Sequence, residues 1–241
     1  MRQNITLETG TGINPATIFR PEVPAVLFVH GVLSEQAKYF NFAEAVAAQG
    51  IVCMTFDLGG HGPSPMRDLN DLTIGDHIEE LDDAYKRLEA EPGVDKNRIG
   101  IVAASYGAYL ATRILDRHVE INKLLLRAPA LLPDGLDSVQ YRDLDENVVK
   151  DFQARHWSRM PYEEVRGATA GLIAVSGFKG EVTIVESELD AVVPKDASHA
   201  YITAAHRPTL RVIRNEGHDL SPDAKEMFKK IVVDWSRDLA A

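Results

Sequence analysis

The sequence predicts an α/β protein with a mainly parallel central sheet and helices on both faces. Three observations carry this. Short runs that are apolar throughout recur along the chain, as expected of strands covered on both faces. Segments with apolar residues at helical spacing separate them, so strands and helices alternate. The chain has 241 residues, 45% of them apolar, which suits one large domain with a full core.

The elements follow in order. Ile5 and Leu7 alternate with polar residues, and Ala16-Thr17-Ile18-Phe19 follows a Gly/Thr/Asn-rich break; these predict two antiparallel edge strands. Pro21 and Pro24 interrupt the chain before the apolar run 25–29. A roughly helical pattern spans 38–49 and stops at Gly50. Residues 51–56 read as the next buried strand. Ile74, Ile78, Leu81, Ala84, Tyr85 and Leu88 predict an amphipathic helix over about 75–91, broken by Pro92-Gly93. Strands follow at 99–104, 124–126, 182–185 and 210–213. Helices are expected at 106–115, 195–205 and 222–239. Residues of about 130–180 break the alternation. A structureless loop of that length is improbable inside a compact domain, so a small helical cap insert over the strand ends is expected within a single 1–241 domain. Its predicted helices lie around 145–160 and after Pro161, and Phe152, Trp157 and Met160 read either as its own packing or as pocket lining.

Composition narrows the function classes. Thirty-six acidic against 26 basic residues give a net charge of −10, and no Lys/Arg cluster stands out. Nucleic acid is therefore not an expected partner. The lone cysteine, Cys53, permits no intrachain disulfide and sits in the apolar run Ile51-Val52-Cys53-Met54, where it reads as a small core residue. The N-terminus lacks an apolar run resembling a signal peptide. No segment approaches the ~18 apolar residues of a membrane helix. A soluble, cytoplasmic protein with no membrane partner is the expectation. No His/Cys cluster has zinc spacing, so neither a metal nor an organic cofactor is expected.

The chemistry centres on Ser105. The apolar run 99–104 turns directly into the Ala/Leu-rich helix at Tyr106, and Ser105 is the one polar side chain at the corner. Small residues stand two before it, Ala103, and two after it, Gly107. A serine capping a helix fits this stretch, and so does a nucleophile held on a strained turn. A serine hydroxyl needs a base, an acid to orient the base, and donors for an oxyanion. In α/β sheets these belong at the C-terminal ends of strands. His218 follows the last strand in Asn215-Glu216-Gly217-His218-Asp219 and is the candidate base. His77, His118, His199 and His206 fall on or beside predicted helices and read as solvated. Asp190 stands furthest past the preceding strand and is the candidate acid, with Glu186 and Glu188 as alternatives. The Val32 and Tyr106 N–H groups are the candidate oxyanion donors, the second at a helix start where backbone donors are free. His30, Gly31 and Trp157 are the candidate substrate-binding residues.

With these pieces in order, the chain resembles the α/β-hydrolase superfamily of serine hydrolases over nearly its full length. The parts are His30-Gly31, the 57–62 loop Asp-Leu-Gly-Gly-His-Gly, the elbow at Ser105, Asp190-Ala191-Val192-Val193-Pro194, and Gly217-His218. The order serine, acid, histidine is the family's. The elbow usually reads Gly-x-Ser-x-Gly; Ala103 in its first position is similar to the esterase and dienelactone-hydrolase-like branches. A serine nucleophile sets the chain apart from the haloalkane dehalogenases, which use aspartate. The resemblance implies a structural His61 and an Asp57 that ties down its loop. It also implies hydrolysis of a small or medium carboxylic ester through an acyl-enzyme. Acyl transfer, thioester or peptide cleavage, and a non-catalytic small-molecule binding module are alternatives on the same scaffold.

Overall fold

The computed structural model describes residues 2–9, 12–19, 21–63 and 68–240. The chain opens with an antiparallel pair, β1 (Arg2–Thr9) and β2 (Gly12–Phe19), which forms a two-stranded sheet of its own. The predicted edge strands therefore exist but do not border the main sheet. The break between them at 10–11 lies outside the described residues.

Six strands then build one parallel sheet: β3 (Val23–Val29), β4 (Val52–Thr55), β5 (Val94–Ala104), β6 (Ile121–Arg127), β7 (Glu181–Ser187) and β8 (Pro208–Ile213). Their order across the sheet is β4-β3-β5-β6-β7-β8, all neighbours parallel. Strand β5, which leads into Ser105, thus lies near the middle. Strand β4, expected to be buried, is only half-buried because it is an edge strand. Cys53 shares that position; burial still pushes its thiol up to about 12, which keeps it protonated and unreactive.

Eight helices surround the sheet among the described residues. They are α1 (Phe40–Ala47), α2 (Ile74–Glu89), α3 (Tyr106–Arg113), α4 (Glu146–Gln153), α5 (Tyr162–Arg166), α6 (Ala170–Gly177), α7 (Lys195–Ala204) and α8 (Pro222–Ala240). Side chains alternate across each strand, and both faces are apolar. Leu27, Val29, Ile101, Ala103, Leu124 and Leu126 pack under α2, α3, α6 and α7. Val26, Phe28, Val102, Leu125 and Val185 pack on the other face against Phe42 and Val46 of α1 and Phe228, Val232 and Trp235 of α8. Helix α2 starts where its sequence dictates: Thr73 and Asp76 form a reciprocal capping box.

The stretch 130–180 holds α4, α5 and α6. Helix α6 packs on α3 and α7, and α5 on α7. The sequence did not predict α6. Its residues are apolar on nearly every side, so no helical stripe betrays it. No helix among the described residues is long and apolar enough to cross a membrane.

Candidate active site

The C-terminal edge of the sheet concentrates the chain's unusual backbone. Among the described residues four non-glycines have positive φ: Leu33 after β3, Ser105 after β5, Ala128 after β6 and Asn215 after β8. Ser105 sits at φ 53° and ψ −122°, a sparsely populated conformation that lifts its side chain off the end of β5. Its peptide groups are locked. Ser105 N–H donates to the Arg127 carbonyl at 2.8 Å, and its own carbonyl accepts from Ala108 and Ala130, each at 3.1 Å. Small neighbours make room. A Cβ at Gly107 would collide with the carbonyl of His30 and stand 2.8 Å from that of Val29. Gly31 packs directly on Ser105, where a Cβ would stand 3.1 Å from Ser105 Cβ and 3.6 Å from its Oγ. The Ser105 side chain does not cap α3.

Ser105, His218 and Asp190 form one hydrogen-bonded chain. His218 Nδ1 donates to Asp190 Oδ2 at 2.8 Å. The ring then has Nε2 free to accept from Ser105 Oγ at 3.1 Å. Asp190 Oδ1 accepts the Val192 and Val193 N–H groups at 2.9 and 2.8 Å. Burial raises the cost of charge on this carboxylate. The bond from His218, with those from the Val193 and Val192 amides, outweighs burial and holds Asp190 below the usual aspartate value. The other acids of this loop are engaged differently. Glu188 accepts from the Asn215 N–H at 3.0 Å, bracing the histidine loop. Glu186 is buried with Oε2 unpartnered, and that burial pushes its carboxyl up despite the nearby His199 and Lys195.

Two backbone amides, one following Ser105 in sequence and one following Gly31, have no acceptor among the described residues. Neither Val32 nor Tyr106 donates its N–H to a described residue. Tyr106 opens the helix α3, and Val32 follows the Gly31 that packs on Ser105. Volume does not mark the place. A cavity of about 620 Å³ lies at the opposite edge of the sheet, near Asn97, Ile121, Lys123, Gly180 and Glu181, where no residue of this chain of bonds reaches.

The sequence profile described as serine aminopeptidase, S33 matches residues 21–164, more than half of the chain. The chain belongs to this α/β-hydrolase family. No curated protein matches it. Solved structures share its fold across nearly its full length. Est1E from Butyrivibrio proteoclasticus, solved with ferulic acid, superposes with a TM-score of 0.68 at 18% identity, covering 99% of this chain and 95% of that one. A monoacylglycerol lipase from Paleococcus ferrophilus gives 0.66 at 16% identity, covering 99% of both chains. Acetyl xylan esterase 1 from Thermoanaerobacterium sp. JW/SL YS485 gives 0.65 at 19% identity, covering 95% of this chain and 78% of that one.

In this hydrolase the remaining expected residues divide. His30 is buried and fully engaged: Nδ1 donates to the Gly31 carbonyl at 2.8 Å, and Nε2 accepts the Leu58 N–H at 3.0 Å. It joins two loops and offers no atom to a substrate. Trp157 is 1% exposed, stacks edge-on against Phe152 and donates to the Phe152 carbonyl, so it is core rather than pocket. Asp57 accepts from the Gln36 backbone and side-chain N–H groups, both at 2.7 Å, and so ties the β3 loop to the β4 loop. His61 is buried with Nδ1 donating to the Gly59 carbonyl.

Two histidines expected to be solvated are not. His77 is fully buried. Its Nε2 donates to the Gly59 carbonyl at 3.0 Å and its Nδ1 accepts from Tyr106 Oη at 3.1 Å. Burial, opposed by the Gly59 bond, pulls it down to about 4, so the ring is neutral. His118 is buried against Asp82 at 2.7 Å. A signal for His77 was present: it stands three after Ile74 and four before Leu81, on the inward face of α2.

Proposed function

We propose that this hydrolase is a carboxylesterase acting on small or medium esters through a Ser105-His218-Asp190 triad. The reading rests on the unbroken hydrogen-bonded chain from Asp190 through His218 to a serine in a left-handed turn. Ser105 Oγ attacks the ester carbonyl carbon while its proton passes to His218 Nε2. Asp190, kept ionised, stabilises the imidazolium and fixes the ring's tautomer. The carbonyl oxygen takes up the negative charge, and the Val32 and Tyr106 N–H groups receive it. Collapse breaks the ester C–O bond, and His218 returns the proton to the leaving alcohol. Water then attacks the acyl-serine, giving its proton to His218, and the acid departs as Ser105 recovers the proton. Every step is served by side chains and amides of the chain itself.

The substrate class is supported by the exposed Val32 and Leu33 in the β3 loop and the exposed Leu189 and Val192 in the acid loop. These loops flank β5 and β6 on either side, so apolar surface borders Ser105 on both banks. The acetyl xylan esterase and the monoacylglycerol lipase of this fold are compatible with such a substrate. The family's aminopeptidase description makes aminoacyl amides the competing class.

The test pairs a fluorophosphonate probe with p-nitrophenyl acetate, p-nitrophenyl butyrate and an aminoacyl p-nitroanilide. Ser105 is the labelled residue, and the esters turn over while the anilide does not. In Ser105→Ala labelling vanishes and kcat falls by on the order of 10⁶-fold, with an unchanged circular dichroism spectrum. Ester hydrolysis at the original rate in that variant overturns the assignment; anilide turnover exceeding ester turnover replaces the substrate class.

A further inference from the structure

Arg127 is a buried cation that the proposed mechanism leaves unused. It ends β6, beside the nucleophile strand, and is 8% exposed. A guanidinium out of water normally meets a carboxylate, because an unpaired buried charge costs several kcal/mol. Arg127 makes no ion pair with a described residue. Its Nη2 donates to the backbone carbonyl of His218, and its Cζ lies 6.0 Å from the centre of the Phe228 ring on α8. The nearest charge partners act at longer range: the Tyr39 hydroxyl, Asp190 and Asp219. The same residue's carbonyl accepts the Ser105 N–H at 2.8 Å. Arg127 is therefore bonded to the serine through its main chain and to the histidine through its side chain.

The histidine loop needs such a hold. Strand β8 is an edge strand exposed along most of its length, and the loop after it begins with Asn215 at φ 57°. Its other ties run to the acid loop: Leu189 N–H to the Glu216 carbonyl at 2.8 Å, and Asn215 N–H to Glu188 at 3.0 Å. Those bonds set His218 relative to Asp190. None of them sets it relative to Ser105, which belongs to the middle of the sheet. The guanidinium reaches across that gap.

We propose that Arg127 is a positioning residue, whose guanidinium fixes the His218 main chain at the depth that lets the imidazole bridge Asp190 and Ser105. This inference rests on the proposed triad. It also explains why the chain keeps a buried, unpaired charge where a methionine of similar length would cost nothing in solvation.

The test compares Arg127→Met and Arg127→Lys with the parent protein. Arg127→Met keeps or raises the melting temperature, since it removes a desolvated charge. Its kcat for p-nitrophenyl butyrate falls about 10–100-fold with KM within threefold, the size expected for a base displaced by a fraction of an ångström. Arg127→Lys, which can still donate to the His218 carbonyl, recovers most of the loss. The low-field proton resonance of the His218–Asp190 hydrogen bond shifts or broadens in Arg127→Met and returns in Arg127→Lys. A kcat within twofold of the parent and an unmoved resonance in Arg127→Met overturn the proposal. So does an equal loss in both variants that follows a lowered melting temperature, which marks a packing role. Should the parent hydrolyse no ester, the esterase reading fails, and the resonance still decides the role of Arg127.

Discussion

Two groups of histidines lie at the C-terminal edge of this sheet, and they are held in opposite ways. His30, His61 and His77 sit close together, with ring centres 5.1 Å apart between His30 and His61 and 5.5 Å between His61 and His77. All three are buried, and each gives a ring N–H to a backbone carbonyl. Burial pulls His30 and His77 below the usual histidine value, His77 to about 4, against the carbonyl bonds that favour the charged ring. His218 gives its Nδ1 proton to a carboxylate instead, and its side chain keeps 21% of its surface exposed. Only a ring with an anion behind it and an open face can gain and return a proton without large cost. The partner behind the ring, rather than its place at a strand end, sets His218 apart from the other three.

The most damaging way to break this contrast is to turn the anion behind His218 into an amide. Asp190→Asn keeps a hydrogen bond but favours the wrong tautomer, and kcat for p-nitrophenyl butyrate falls by on the order of 10³–10⁴-fold. Steady-state kinetics with unchanged circular dichroism checks this; a larger effect in Glu188→Gln moves the acid to Glu188. A smaller loss comes from crowding the serine. Gly31→Ala sets a methyl 3.1 Å from Ser105 Cβ, and the rate of fluorophosphonate labelling falls about tenfold or more. A wild-type labelling rate would show that the β3 loop yields freely.

The scaffold histidines respond in stability, not rate. The native His77 takes a proton only near pH 4, whereas the unfolded ring takes one near 6.5. Between those values the unfolded state binds more protons, so stability falls as pH falls, by up to about 3 kcal/mol from this one group. His77→Phe removes that slope from urea melts run between pH 7 and pH 4. It also removes the ring nitrogen that lies 3.1 Å from the Tyr106 hydroxyl and 3.3 Å from that of Tyr141, costing about 1 kcal/mol at pH 7, while kcat stays within threefold. A melt profile as steep in His77→Phe as in the parent places the acid sensitivity elsewhere.

What the sequence made legible follows from what one residue can announce alone. The all-apolar runs marked β3, β5, β6 and β7, because a strand covered on both faces has no polar position to hide. Ser105, His218 and Asp190, which the structure joins in one hydrogen-bonded chain, stood out because each is a polar residue past such a run. Two kinds of feature stayed hidden. Helix α6 is apolar nearly all round, so periodicity is blind to it. Arg127 ends the run Leu124-Leu125-Leu126 and shares a face with Leu125, so a buried charge was visible in principle, but its target lies 91 residues away at His218. His30 and Trp157 erred in the same direction: both were placed by their neighbourhood in sequence, and both turned inward to bond to backbone.

The four left-handed residues at the sheet's edge carry one more consequence. Each costs about 1–3 kcal/mol, and together they approach the net stability of an ordinary domain. The two cores on either face of the sheet hold that edge in place. Weakening either core is expected to let the backbone around Ser105 and Asn215 relax before the sheet comes apart. Turnover, rather than secondary structure, is then the finer gauge of damage anywhere in the protein, and a core substitution far from Ser105 can silence the enzyme while it still looks folded.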